Sequence, residues 1–130
     1  MKVFLLSLFL FSTLQHEVLA SGQDPVLDSE KLQLTKADHI IAEKHDGKTE
    51  PDNLAYTCAR CNRFKGTDLG SFDPLTGQFT FLFNPRAQAW DEHFAFEDEL
   101  IVGLTAVGRT TAKLLQMNTQ ERLAERQIEE

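Results

Sequence analysis

Between residues 38 and 62 the chain places Asp38-His39, then Asn53, then a Cys58-x-x-Cys61 pair followed at once by Asn62. A histidine beside a carboxylate can act as a general base next to a hard metal ion. An amide oxygen further along the chain can complete such a metal site. That set of groups suits hydrolysis of a phosphodiester.

Those residues need elements to hold them. Leu32, Leu34 and Ala37 alternate with polar residues into Asp38-His39-Ile40-Ile41, which predicts a strand ending near Ile41. Residues 42–52 are polar, with Asp46-Gly47 and Glu50-Pro51-Asp52 as turn signals. Residues 53–57 read as a short second strand. Residues 58–68 read as a helix, with Gly66 as its stop. Strand, loop, strand and helix make a compact ββα unit, and the fold class expected is α+β. Asp38 and His39 are neighbours on a strand and so point to opposite sides of it. A bend or the strand's end must bring both to one cleft.

Further on, Asp73-Pro74-Leu75-Thr76-Gly77 predicts a turn before a strand over 78–83. There the alternation of Phe79, Phe81 and Phe83 marks a buried face. Asn84-Pro85 is expected to open a short helix carrying Trp90 and reaching His93, itself expected to be structural. Residues 94–96 and 100–102 flank Glu97-Asp98-Glu99 as a hairpin. Thr105 is expected to cap a helix running to about Gln116, and Asn118 to cap a last one, with Glu121 completing a capping box.

A length of 130 residues allows one small domain with a modest core, and 42% hydrophobic with 25% charged residues is ordinary for a globular chain. The formal charge of −7 weighs against broad electrostatic binding of nucleic acid. It is unevenly spread. Residues 1–30 hold one base and four acids, residues 31–68 seven bases and six acids, and residues 69–130 five bases and ten acids. The stretch with the candidate site is thus the one that is not acidic. The two cysteines have the spacing of a disulfide, a redox pair or half of a zinc site, or they simply pack as small residues.

Met1-Lys2, the apolar run 3–11 and Val18-Leu19-Ala20 before Ser21 resemble a secretory signal. An N-terminal element packed on the core, or a start that does not reflect the parent fold, are the other readings. The run is too short to span a bilayer, and no stable membrane association is expected. A cytoplasmic location is the expectation, or a secreted or periplasmic one if residues 1–20 act as a signal. Residues 1–30 are read as this segment and a linker, and residues 31–130 as the folded domain.

Three stretches together resemble the HNH endonuclease family: Asp38-His39-Ile40-Ile41-Ala42-Glu43-Lys44-His45-Asp46-Gly47, then Asn53-Leu54, then Cys58-Ala59-Arg60-Cys61-Asn62-Arg63-Phe64-Lys65-Gly66. Phe83-Asn84-Pro85-Arg86, Trp90, His93-Phe94 and Leu104-Thr105-x-x-Gly108-Arg109 resemble a bacterial subgroup of it. The resemblance implies a ββα-metal core over 36–68 with a C-terminal extension over 69–130. It implies that His39 activates water, that Asp38 and Asn62 bind a divalent metal, Mg²⁺ or Mn²⁺, and that Asn53 fastens the connecting loop and orients His39.

Members with a C-x-x-C before the last Asn or His usually carry a second such pair upstream, the four thiolates holding a structural zinc. Here Cys58 and Cys61 stand without that second pair, which argues against the zinc. Arg60, Arg63 and Lys65 on the helix, and Lys44 and His45 in the loop, are the candidates for meeting nucleic-acid phosphates. A solvated surface is the plainer role for each. The implied function is a metal-dependent endonuclease acting on DNA, with RNA also open. The alternative is a catalytically inactive nucleic-acid-binding module of the same fold.

Overall fold

The structure, a computed structural model, describes residues 35–128. The signal-like segment and the start of the first expected strand lie outside them. Strand β1 (Thr35–His39) pairs antiparallel with β2 (Leu54–Cys58), setting Asp38 opposite Ala55 and His39 opposite Leu54. The chain then enters helix α1 (Ala59–Lys65), capped by the Cys58 sulfur accepting from the Cys61 N–H. Gly66 ends it at φ 51°, a region open to glycine, and so the helix is shorter than the expected 58–68. This is the ββα order expected, within a mixed α+β fold.

The loop between β1 and β2 is wound rather than open. Short 3₁₀ turns occupy Glu43–His45 and Pro51–Asn53, and Asp46 takes the left-handed conformation. Gly47 follows it so closely on the strand end that a Cβ there would meet the Ile41 carbonyl oxygen at 1.7 Å. The Asp-Gly pair thus has a steric cause: any side chain at 47 would push the loop off the strand that carries His39.

Beyond α1 come a hairpin of β3 (Gly70–Phe72) and β4 (Phe79–Phe81), helix α2 (Trp90–His93), a second hairpin of β5 (Phe94–Glu97) and β6 (Leu100–Gly103), and helices α3 (Ala106–Leu114) and α4 (Gln120–Ile128). Helix α3 packs on β6, β3 and β4. Its approach to α2 requires Gly108, since a Cβ there would lie 2.0 Å from the His93 carbonyl oxygen. Among the described residues no helix is long and apolar enough to cross a membrane.

The core gathers Cys61, Phe83, Phe94, Ile101, Leu115 and Met117, with Phe64, Trp90 and Phe96 packed against them. Trp90 stacks on Phe94 at 4.0 Å between ring centres, and Phe83 meets both rings edge-on. Cys61 and Phe64 of α1 therefore share one apolar cluster with residues forty and more positions later.

Four expectations are corrected. Phe83 is buried, but Phe79 and Phe81 are 57% and 66% exposed, forming with Phe72 an edge-to-face aromatic row at the surface. β4 has only a three-residue partner, and among the described residues no second layer covers its Phe79 and Phe81 face. No helix starts at Asn84: its side chain accepts from the Arg86 N–H, closing a turn, and α2 begins at Trp90. Asn118 does not cap α4, because its amide grips both backbone groups of Ile101; the Thr119 hydroxyl accepts from Arg122 N instead. Glu121 turns to Arg60 rather than back to the helix start.

Candidate active site

His39 ends β1, and its ring faces the wound loop. Its Nε2 lies 2.8 Å from the Thr49 hydroxyl oxygen and 3.8 Å from Glu43 Oε1, and the Thr49 hydroxyl donates to Glu43 Oε1 at 3.4 Å. Histidine, hydroxyl and carboxylate thus form a chain that residue types alone did not signal.

Asn53 holds that loop shut. Its Oδ1 accepts from the Ile41 N–H at 2.8 Å, and its Nδ2 donates to the carbonyl oxygens of Ile41 at 2.9 Å and Lys48 at 2.8 Å. The Ile40 N–H also donates to the Asn53 carbonyl at 2.8 Å. One amide therefore ties the residues just after His39 to the far side of the loop, which only Asn or Gln can do with a paired donor and acceptor.

Asp38 points the other way, toward α1. Its Oδ2 lies 3.4 Å from Lys65 Nζ, and the same ammonium donates to the His39 carbonyl oxygen at 2.8 Å. Both members of this pair are largely buried. Asp38, His39, Lys65 and Asp68 border a cavity of about 80 Å³ that runs down to Cys61, Phe83 and Leu115. Asp38 and His39 side chains diverge, as neighbours on a strand must, yet both residues reach one cavity. Asn62, partly buried on α1, is not on its wall.

Among the described residues, no three His, Cys, Asp or Glu side chains converge as a metal cluster. A cation here would draw on fewer protein donors and more water, which is how Mg²⁺ is commonly held. The Asp38 carboxylate and the Asn62 amide are oxygen donors of the kind a hard ion takes. The Lys65 ammonium already pairs with that carboxylate, a charge that an incoming cation would have to displace, and Asn62 lies on the adjoining helix, off the cavity wall.

Zinc at Cys58 and Cys61 does not fit. The buried guanidinium of Arg122, on α4, lies 3.3 Å from Cys61 Sγ and 3.9 Å from Cys58 Sγ. A fixed positive charge against both sulfurs opposes a second cation there, and a closed zinc site needs four ligands.

The five candidate phosphate contacts separate. Lys44, His45 and Arg63 are exposed, Arg63 lying over the Phe64 ring. Lys65 is turned inward to Asp38. Arg60 is bound to Glu125 at 2.7 Å and Glu121 at 3.3 Å. His93 is structural, its Nδ1 lying 2.7 Å from the Thr105 hydroxyl. A second buried ion pair, Arg109 with Asp73, is bidentate at 2.9 and 2.8 Å. It clamps the turn after β3 to α3, and the Arg109 guanidinium holds the Asp73 carboxyl well below the usual range.

A family model described as HNH endonuclease matches residues 24–68. No curated protein and no solved structure matches the chain. The match supports a nuclease or nucleic-acid-acting role in general terms. Residues 24–68, which carry Asp38, His39, Asn53 and Asn62, are thus similar to the HNH endonuclease family.

Proposed function

We propose that this chain is an endonuclease that hydrolyses phosphodiester bonds in DNA, using His39 as general base beside a divalent cation, Mg²⁺ or Mn²⁺. The observation that carries the reading is the Asn53 clamp. It fixes the chain directly after His39 while the neighbouring Asp38 presents a carboxylate to the same cavity.

The hydrogen-bond chain supports one arrangement of the histidine's two nitrogens. The Thr49 hydroxyl donates to Glu43, so its oxygen is free to accept from Nε2–H. That leaves Nδ1 with the lone pair that takes a proton from water. Asp38, with Asn62 on the adjoining helix, would hold the cation, which when bound would supply neutralisation of the phosphate's charge. Lys65 then keeps its bond to the His39 carbonyl and shares the carboxylate's charge. Lys44, His45 and Arg63 are the exposed groups free to meet the backbone of the nucleic acid.

The test is cleavage of supercoiled plasmid by the purified chain in Mg²⁺ and in Mn²⁺, with and without EDTA, beside a single-stranded RNA substrate. Cutting of DNA that EDTA abolishes supports the reading. A second reading is favoured by the Lys65–Asp38 and Arg60–Glu125 pairs, which tie up a proposed ligand and a basic residue: a binding module without catalysis. Salt-dependent binding with no cleavage in any divalent ion selects it.

A further inference from the structure

We propose that Cys58 and Cys61, together with Arg122, form a thiol-exchange site that takes low-molecular-weight disulfides of the glutathione class and closes to a Cys58–Cys61 disulfide. Nothing in this inference depends on the nuclease reading. Both cysteines are free, and the pair is built asymmetrically. Cys61 is 1% exposed, in the core, whereas Cys58 is only partly buried and so open to an incoming reagent. The Cys61 backbone N–H donates to the Cys58 sulfur at 3.4 Å. Arg122, 6% exposed, brings a permanent positive charge to within 4 Å of both sulfurs.

These contacts make Cys58 the nucleophile and Cys61 the resolving thiol. Hydrogen bonding from Cys61, with Arg122 adding attraction, pulls the Cys58 thiol down to about 5, against the opposing effect of burial. The thiolate is the attacking form, and an adjacent guanidinium favours it.

In the first step the Cys58 thiolate attacks one sulfur of the external disulfide. A Cys58–sulfur bond forms, the external sulfur–sulfur bond breaks, and one thiolate leaves. In the second step Cys61 gives up its proton, attacks the Cys58 sulfur and expels the second external thiolate. Two protein thiols are oxidised and one external disulfide is reduced to two thiols. The guanidinium that opposes zinc at these sulfurs thus favours the thiolate instead. Cys61 also borders the cavity that Asp38 and Lys65 share, whereas Cys58 does not line it.

The experiment incubates the full reduced chain with oxidised glutathione, quenches it with acid at intervals, and reads intact mass and peptide maps. The expected course is a transient single glutathione adduct on Cys58, then loss of two hydrogens as the internal disulfide closes. Cys61→Ser is expected to stall as the Cys58 adduct. Arg122→Gln is expected to slow alkylation of Cys58 by iodoacetamide at pH 6.5 by about tenfold. If Cys61→Ser does not fold, the quenched wild-type maps still report which sulfur reacts first. Glutathione found first on Cys61 overturns the proposal. So do thiols that react only after denaturation, or one zinc ion per chain that survives dialysis and protects both sulfurs.

Discussion

Asn53 bonds to both the N–H and the carbonyl of Ile41, twelve residues earlier in the chain, so the loop that follows His39 begins and ends at one side chain. Removing that side chain leaves backbone groups unpaired on both sides of the loop. Asn53→Ala should cost about 1–3 kcal/mol in urea unfolding and abolish most cleavage. Asn53→Asp keeps the acceptor and loses the donor, and should fall between the two. Wild-type stability in Asn53→Ala contradicts this.

The Asp73–Arg109 pair gives the fold an acid limb. Asp73 has its pKa depressed on folding, so its contribution is complete above the ordinary carboxylate value, roughly 3.9, and is lost as pH falls below that. Thermal melts between about pH 5 and pH 2 should show wild-type stability dropping more steeply than that of Asp73→Asn. Equal slopes would remove the pair from the account of acid stability.

Phe83 and Phe79 share a strand pattern but not an environment. Phe83→Ala opens the aromatic cluster around Trp90 and Phe94 and should cost about 3–5 kcal/mol. Phe79→Ser changes a side chain 57% exposed and should cost no more than about 1 kcal/mol. Chemical denaturation of the two variants side by side checks the difference.

Arg60 and Arg63 should behave differently toward DNA although they share a helix. Arg60 is held by two acids in exposed pairs, each worth little to stability, while Arg63 lies over the Phe64 ring and makes no ion pair among the described residues. The anisotropy of labelled DNA against salt should show a slope lower by about one for Arg63→Ala and unchanged for Arg60→Ala. The reverse order would move the binding face to the α4 side.

The ββα order was legible because alternation, the Asp-Gly turn and Gly66 all act locally. The same holds for the 94–103 hairpin and the Thr105 cap, whose hydroxyl accepts from Gly108 N. Divergence of Asp38 and His39 also followed from strand geometry alone. What local pattern cannot supply is the partner across the fold. Alternation at Phe79, Phe81 and Phe83 marks an apolar face but not whether a second layer covers it. Gly70–Phe72 is too short to signal a strand without β4 beside it. Asn118 looks like a cap until Ile101 claims its amide, and nothing near Cys58 in the chain announces Arg122, sixty-four residues on. The Thr49–Glu43 link to His39 was hidden for the opposite reason: a threonine and a glutamate in a polar loop are too common to stand out.

Plasmid cleavage by wild type and His39→Ala, in saturating Mg²⁺ or Mn²⁺ with folding checked by circular dichroism, bears most directly on the central proposal. Loss of the general base should lower the rate at least about a hundredfold while DNA binding holds. Equal cleavage by the folded variant would contradict the role given to His39.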